Sequence, residues 1–254
     1  MLAFQRALCY NNLHTRTISN SFSTRREEVI FVDEQKFYLE SIGHATDADK
    51  DAIEEMFFEF LELEHLYESA AELVKAQLNI YDNEFSMKFQ RNPIHGIESR
   101  IKSPQSIVGK LQKKGYPLSA KSAREHLMDI AGIRVVCYYV NDIYAIAELL
   151  STRDDFKLVK IKDYIRSPKP SGYRSLHMIV MVPVYLATCR REVPVEIQIR
   201  TIAMDFWASL EHQLRYKTDA AVPPDLRDEL HRLADTISET DLRMQDIYQQ
   251  INEL

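Results

Sequence analysis

The sequence predicts an α+β fold: a mixed β-sheet flanked by helices, with helical extensions on either side. Three observations carry this. Short runs of β-branched and aromatic residues are separated by stretches of helical spacing. One run, "VPVEIQIRT", alternates strictly between apolar and polar residues. With 254 residues, 45% of them hydrophobic, the chain can bury one sizeable core.

In chain order, Asp47 to Glu72 holds ten acids and one lysine. Ile53, Phe57, Phe60, Leu61 and Leu63 recur there at helical spacing, so residues 47–90 read as a helical region with a solvated acidic face. Ser103 followed by Pro104 reads as a helix start, Ser as N-cap and Pro at the first helical position. A helix is expected near Lys121–Met128. Asp129 reads as closing it, with Gly132 suiting its C-terminal turn. Strands are expected at Ile133–Val140, Phe156–Ile165, Leu176–Leu186 and Val193–Arg200, with helices at Asp142–Leu150 and Thr201–Tyr216. After Pro223 and Pro224 a last helix runs almost to Leu254. In that helix Leu226, Leu230, Leu233, Ile237, Thr240, Met244, Ile247 and Ile251 alternate steps of four and three. Such a seam joins helices of separate chains or packs on its own domain.

No apolar run approaches the roughly 18 residues that span a bilayer, so no membrane role is expected. The net charge of −6 gives no overall attraction to nucleic acid. The cysteines Cys9, Cys137 and Cys189 are odd in number and far apart, which suggests neither a disulfide framework nor a zinc site. A reducing cytoplasm follows. Residues 1–26 contain four arginines and no Asp or Glu. That composition is like a mitochondrial transit peptide; the plainer reading is a disordered tail over residues 1–30.

Charge is segregated. Between Glu98 and Glu125 lie seven Lys or Arg and no acid, and Asp163 is the only acid from Phe156 to His177. Two basic segments bracketing apolar strands point to phosphate. In "RIKSPQSIVGKLQKK" the free amides of a helix start attract anions. Ser106 lies in the first turn, Lys110 four residues on, and Arg100 and Lys102 precede the cap. The spacing is not that of a Walker motif. Arg134, early in a buried strand, needs a partner or a place at the sheet's rim; an ion pair with Asp129 is the structural alternative.

In "VPVEIQIRT" the residues Glu196, Gln198 and Arg200 share one strand face. They face water or line a cavity. Glu196 suits Mg²⁺ or a role as general base. In "KPSGYRSLH" Tyr173 offers a π face, and Lys169, Arg174 and His177 offer charge and hydrogen bonds. The set can stack a nucleobase and hold its phosphates; the alternative is a Tyr173 packed in the core with solvated cations.

Taken together, "RIKSPQSIVGKL", "MDIAGIRVV", "KPSGYRSLH" and "VEIQIRTIAMDFWASLEHQLRYK" resemble the RelA/SpoT-type (p)ppGpp synthetase domain, and in particular the stand-alone small alarmone synthetases. The resemblance covers roughly Arg91 to Tyr216, so the core is taken as residues 91–218, with the C-terminal helix of 223–254 for oligomerisation. It implies a nucleotidyltransferase-like sheet and transfer of the β,γ-pyrophosphate of ATP to the 3′-OH of GDP or GTP, releasing AMP. It implies that Arg100 and Arg134 sandwich the adenine, and that Lys102, Ser106 and Lys110 hold ATP phosphates. Lys113 or Lys114 stands where the family often has an arginine. Asp129 and Glu196 are implied as Mg²⁺ ligands, Glu196 also activating the 3′-OH. Tyr173 is implied to stack on guanine, with Lys169 and His177 on the acceptor's phosphates. Asp205 stands near the guanine, where relatives often carry Asn.

The resemblance further implies a homotetramer that needs no nucleic acid. Because the family is mainly bacterial, the disordered-tail reading of residues 1–30 is preferred. The long relatives carry a hydrolase domain with a His-Asp motif. None of the eight histidines here precedes an Asp, so no hydrolase activity is expected. The competing readings are another nucleotidyltransferase and a non-catalytic nucleotide- or RNA-binding module.

Overall fold

The computed structural model describes residues 47–216 and 223–253. The tail expected over residues 1–30 lies outside the described residues, as does Cys9. By compactness the chain divides between Phe58 and Glu59, and the unit beginning at Glu59 holds the whole sheet.

Helix α1 spans Asp47–Phe89. From Phe60 onward it buries Phe60, Leu63, Tyr67, Ala70, Val74 and Leu78, while Glu62, Glu68 and Glu72 stay exposed. Steps of three and four give one apolar stripe. The remaining elements are β1 (Ile94–Ile101), α2 (Pro104–Lys114), α3 (Ala120–His126), β2 (Ala131–Cys137) and α4 (Val140–Ser151). They continue with β3 (Lys157–Asp163), β4 (Leu176–Tyr185), β5 (Arg190–Thr201), α5 (Ile202–Tyr216) and α6 (Pro224–Asn252). No helix among the described residues is long and apolar enough to cross a membrane.

The five strands form one sheet in the order β1-β2-β5-β4-β3. Only β2 and β5 are parallel; the other pairs are antiparallel, so the sheet is mixed. Ile133, Val135, Val195, Ile197, Ile199, Met178 and Val180 are buried at alternate positions. Helix α4 buries Ile143, Ile146, Ala147 and Leu150 and contacts β2 and β5. Alternation leaves the opposite sheet face to polar side chains.

The strand β1 is an addition to the elements the sequence predicts. Its sequence "IHGIESRI" carries a glycine and three polar or charged residues near its end, and a register shift lies between Ile94 and Gly96. It is an edge strand, paired only with β2, so little of it is buried. Two further expectations are corrected. Helix α3 ends at His126, so Asp129 closes no helix but lies in the connection to β2. Gly132 lies within β2, opposite Arg100 on one side and Glu196 on the other.

Candidate active site

The register of the sheet assembles one polar face. Across β1 and β2, Glu98 faces Arg134 and Arg100 faces Gly132. Across β2 and β5, Gly132 faces Glu196 and Arg134 faces Gln198. Next, Glu196 faces Ile179 and Gln198 faces His177 on β4; beyond these stand Lys160 and Lys162 on the edge strand β3. Directly opposed residues project to the same side. Arg100, Arg134, Glu196 and His177, scattered over the sequence, therefore share one surface. Lys160 and Lys162 join it at the rim, and sequence patterning alone did not mark them. Their signal was alternation with Ile161 in a basic strand.

Asp129 precedes β2, at the edge of this face. Lys102 follows β1, and its backbone N–H donates to Ile130 O at 2.8 Å, which draws the two segments together. Lys102 Nζ donates to Asp129 Oδ2 at 2.7 Å and to Asp129 O at 3.1 Å. Lys110 Nζ, from α2, also bonds Asp129 Oδ2. Burial pushes the Asp129 carboxyl up, but the two lysine hydrogen bonds outweigh it and hold it below the usual carboxylate range. The helix start falls where Ser-Pro predicts: Ser103 caps α2, accepting from Ser106 N at 3.4 Å, with Ser103 Oγ 3.0 Å from Ser106 Oγ. Ser106 is exposed at that first turn, and Lys113 and Lys114 are exposed in the last one.

Arg134 does not pair with Asp129. Its Nη1 donates to Glu98 Oε2 at 3.3 Å, and its Nε lies 3.7 Å from Asp205 Oδ1. The ion pair considered from sequence is thus replaced by pairs to Glu98 on β1 and to Asp205, which α5 delivers just after β5. Arg100 is exposed on β1.

The loop between β3 and β4 carries the aromatic group. Gly172 has φ +86, and a Cβ there would fall 2.5 Å from Ala234 Cβ of α6. Only glycine suits that close approach. Tyr173 is half-buried and packs against Trp207, Ala208 and Ala234. Lys169 Nζ lies 4.4 Å from its ring centroid and 4.7 Å from that of Tyr164. Tyr173 thus packs on the core cluster and carries a cation over its ring. Arg174 is a correction. It turns away from the polar face, donating to Gly172 O at 3.1 Å, Ala234 O at 3.3 Å and Asp235 Oδ1 at 2.8 Å.

His177 Nε2 lies 2.9 Å from Tyr173 Oη, and its Nδ1 lies 3.6 Å from Glu196 Oε1. Gln198 Nε2 donates to Glu196 Oε2 at 3.0 Å. His177 does most to lower the Glu196 carboxyl; burial opposes it, Gln198 adds to the lowering, and Asp129 raises it. Among the described residues no group of three or more His, Cys, Asp and Glu is poised around a metal. Asp129, beside two lysines, and Glu196, beside His177 and Gln198, are hard oxygen donors, the type that Mg²⁺ takes together with substrate phosphate oxygens.

Comparison with known proteins matches these segments. Residues 99–221 fit the family described as a region found in RelA / SpoT proteins. GTP pyrophosphokinase YwaC of Bacillus subtilis is 43% identical over 187 residues, 74% of this chain and 89% of its own. The chain belongs to the small alarmone synthetases of the RelA/SpoT family. A second family member, GTP pyrophosphokinase YjbM of B. subtilis, is 37% identical over 187 residues, 74% of this chain and 87% of its own. Among solved structures, small alarmone synthetase 1 of B. subtilis bound to its product pppGpp superposes with TM-score 0.67 at 36% identity. It covers 73% of this chain and 94% of that one. The same synthetase bound to AMPCPP gives TM-score 0.65 at 33% identity, covering 79% and 100%.

Proposed function

We propose that this small alarmone synthetase is a GTP diphosphokinase. It transfers the β,γ-pyrophosphate of ATP to the ribose 3′-OH of GDP or GTP, yielding (p)ppGpp and AMP. The observation that carries the reading is the shared sheet face. Asp129 with its two lysines stands at one side, and Glu196, His177 and Tyr173 stand at the other.

The donor half suits ATP. Diagonal neighbours on paired strands lie about 7–8 Å apart, the separation of two planes stacked on either side of a base. Arg100 and Arg134 are such diagonal neighbours, with Gly132 leaving the space opposite Arg100 open. Lys102, Ser106, Lys110 and Lys113 then meet the phosphates with cations, a hydroxyl and the amides of α2. The acceptor half suits GDP or GTP. Tyr173 stacks on guanine, Asp205 lies beside the base, and Lys169, His177, Lys160 and Lys162 take the phosphates.

In the reaction the 3′-oxygen bonds to the β-phosphorus and the bridge to the α-phosphate breaks. AMP departs with the bridging oxygen. Glu196 accepts the 3′-OH proton. Asp129 and Glu196 would hold Mg²⁺, which when bound spreads the charge on the transferring group. The lysines on Asp129 orient the phosphates, and the flanking rings exclude water.

We further propose a homotetramer built through α6. Its inner stripe, Ala234, Ile237, Asp241, Gln245 and Tyr248, faces the chain's own domain. Leu226, Leu233, Met244, Ile247 and Ile251 of the apolar seam remain exposed, each by 46% or more. A cytoplasmic place accords with the nucleotide substrates and with Cys137 and Cys189, unpaired among the described residues, and hydrolase activity is not part of the reading.

The deciding experiment incubates the chain with ATP labelled at the γ-phosphate, GDP or GTP, and Mg²⁺. Label on a guanosine product together with AMP is expected. Release of inorganic pyrophosphate with transfer of AMP would assign it to another nucleotidyltransfer. No turnover would leave a binding module.

A further inference from the structure

Beneath the acceptor half runs a closed circuit of side chains, two of which the function above does not use. Arg200 is 3% exposed, near the end of β5. Its Nη2 donates to Tyr173 Oη at 3.3 Å and to Gln198 Oε1 at 2.9 Å, and its Nη1 donates to Asp205 Oδ1 at 3.3 Å. Gln198 passes the link on to Glu196 Oε2, and His177 closes the circuit between Glu196 and Tyr173.

The chemistry of the circuit has a direction. A guanidinium only donates and a carboxylate only accepts. Gln198 lies between them with its oxygen toward Arg200 and its nitrogen toward Glu196. A flipped amide would set donors against donors and acceptors against acceptors, so its orientation is fixed by its neighbours. The three residues stand at alternate positions on β5, and strand geometry places all three on one face. A buried guanidinium is costly to desolvate, and among the described residues Arg200 Nε has no hydrogen-bond partner. Joining β5 to α5 would need only the Asp205 contact. The Nη2 donors are spent on Tyr173 and Gln198.

We infer that Gln198 and Arg200 are positioning residues that lock the carboxylate plane of Glu196 to the ring of Tyr173. The inference rests on the reading in which Tyr173 stacks the acceptor base and Glu196 takes the 3′-proton. A base seated on Tyr173 then finds the carboxylate already aimed at its own ribose. Such preorganisation shows in turnover rather than in nucleotide affinity, since small misplacements cost rate steeply.

The test compares Gln198→Met, Arg200→Lys and the double variant by steady-state kinetics with ATP and GDP, with Tm measured in parallel. Gln198→Met is expected to lower kcat by about tenfold or more with both KM values within about twofold and Tm near wild type. Arg200→Lys is expected to lower kcat and also raise the KM for GDP, because Tyr173 loses its anchor. The double variant is expected to be no worse than the poorer single variant, as for members of one network. Should Gln198→Met fail to fold, Gln198→Glu keeps the volume and the Arg200 contact but not the donor to Glu196, and the same kcat loss is expected. Wild-type kcat in the folded Gln198 variant, a loss confined to KM, or losses that multiply in the double variant would overturn the inference. A wild-type chain that forms no pyrophosphorylated guanosine removes both readings. An active wild type matched by its Gln198 variant removes this one alone.

Discussion

The proposed donor and acceptor halves of the face are held in different ways. On the donor side, Lys102 and Lys110 bond one carboxylate oxygen of Asp129, Arg134 reaches Glu98, and all are partly exposed. On the proposed function the two lysines exchange Asp129 for a polyphosphate, one anionic partner for another. On the acceptor side, Tyr173, His177, Glu196, Gln198 and Arg200 form a network of hydrogen bonds and close contacts backed by Trp207 and α6. On the proposed function, the difference teaches that the donor half balances its own charge before ATP binds, while the acceptor half is built in advance.

The contrast breaks most sharply at the two carboxylates. Glu196→Gln is expected to lower kcat by about 10²–10⁴-fold, the usual worth of a positioned general base, with the chain still folded. Added Mg²⁺ or Mn²⁺ should not restore it; full restoration would make Glu196 a metal ligand only. Asp129→Asn is expected to be less severe and to recover in part as Mg²⁺ is raised or replaced by Mn²⁺, since a weakened metal site responds to mass action. Wild-type turnover in either variant would remove that residue from the mechanism.

Tyr173→Ala sharpens the comparison from the other side. Loss of a stacked base costs roughly 1–3 kcal/mol, so the KM for GDP or GTP should rise by about tenfold or more. The KM for ATP should change little, because among the described residues the ring meets Lys169, Tyr164, His177, Arg200 and the Trp207 cluster. Tyr173 also packs on Trp207 and Ala234, so circular dichroism and Tm must accompany the kinetics. A lost fold with unchanged acceptor KM at low temperature would assign the ring to the core.

The same contrast explains what the sequence disclosed. Alternation in "VPVEIQIRT" put Glu196, Gln198 and Arg200 on one face, and Ser103-Pro104 marked the start of α2, because both rules are local. The strand β1 was hidden because an edge strand buries little and its alternation is broken by the Gly96 irregularity. Gly132 looked like a helix-end glycine, yet it lies within β2 opposite Arg100, on a strand more than thirty residues upstream. Arg174 looked like a phosphate cation beside Tyr173. Its partner Asp235 lies on α6, and no spacing rule reaches that far. On α6 the heptad seam was legible, while the stripe that meets the domain lies beside it and depends on Thr201 and Trp207.

The smallest expected effect lies behind the acceptor half, at Asp241 of α6. Its carboxyl is 6% exposed and accepts from Thr201 Oγ1 at 2.6 Å, and Thr201 Oγ1 accepts in turn from Met204 N at 3.1 Å. Burial raises its pKa above the ordinary carboxylate value, and the Thr201 bond only partly opposes this. A raised acid binds its proton more tightly in the folded chain than in the unfolded one. Its contribution to stability is therefore present at low pH and is lost as pH rises from the ordinary carboxylate range through the raised value. Asp241→Asn keeps an acceptor for the Thr201 hydroxyl and removes the buried charge. It is expected to raise Tm by a few degrees at pH 8, on the scale of about 1 kcal/mol, with the gain shrinking as pH falls toward about 4. Turnover should be unchanged, since Asp241 lies outside the proposed nucleotide contacts. A Tm that drops by the same amount at every pH would mean that the Thr201 bond, not the buried charge, governs this contact. The acceptor half would then owe its rigidity to α6 through that bond.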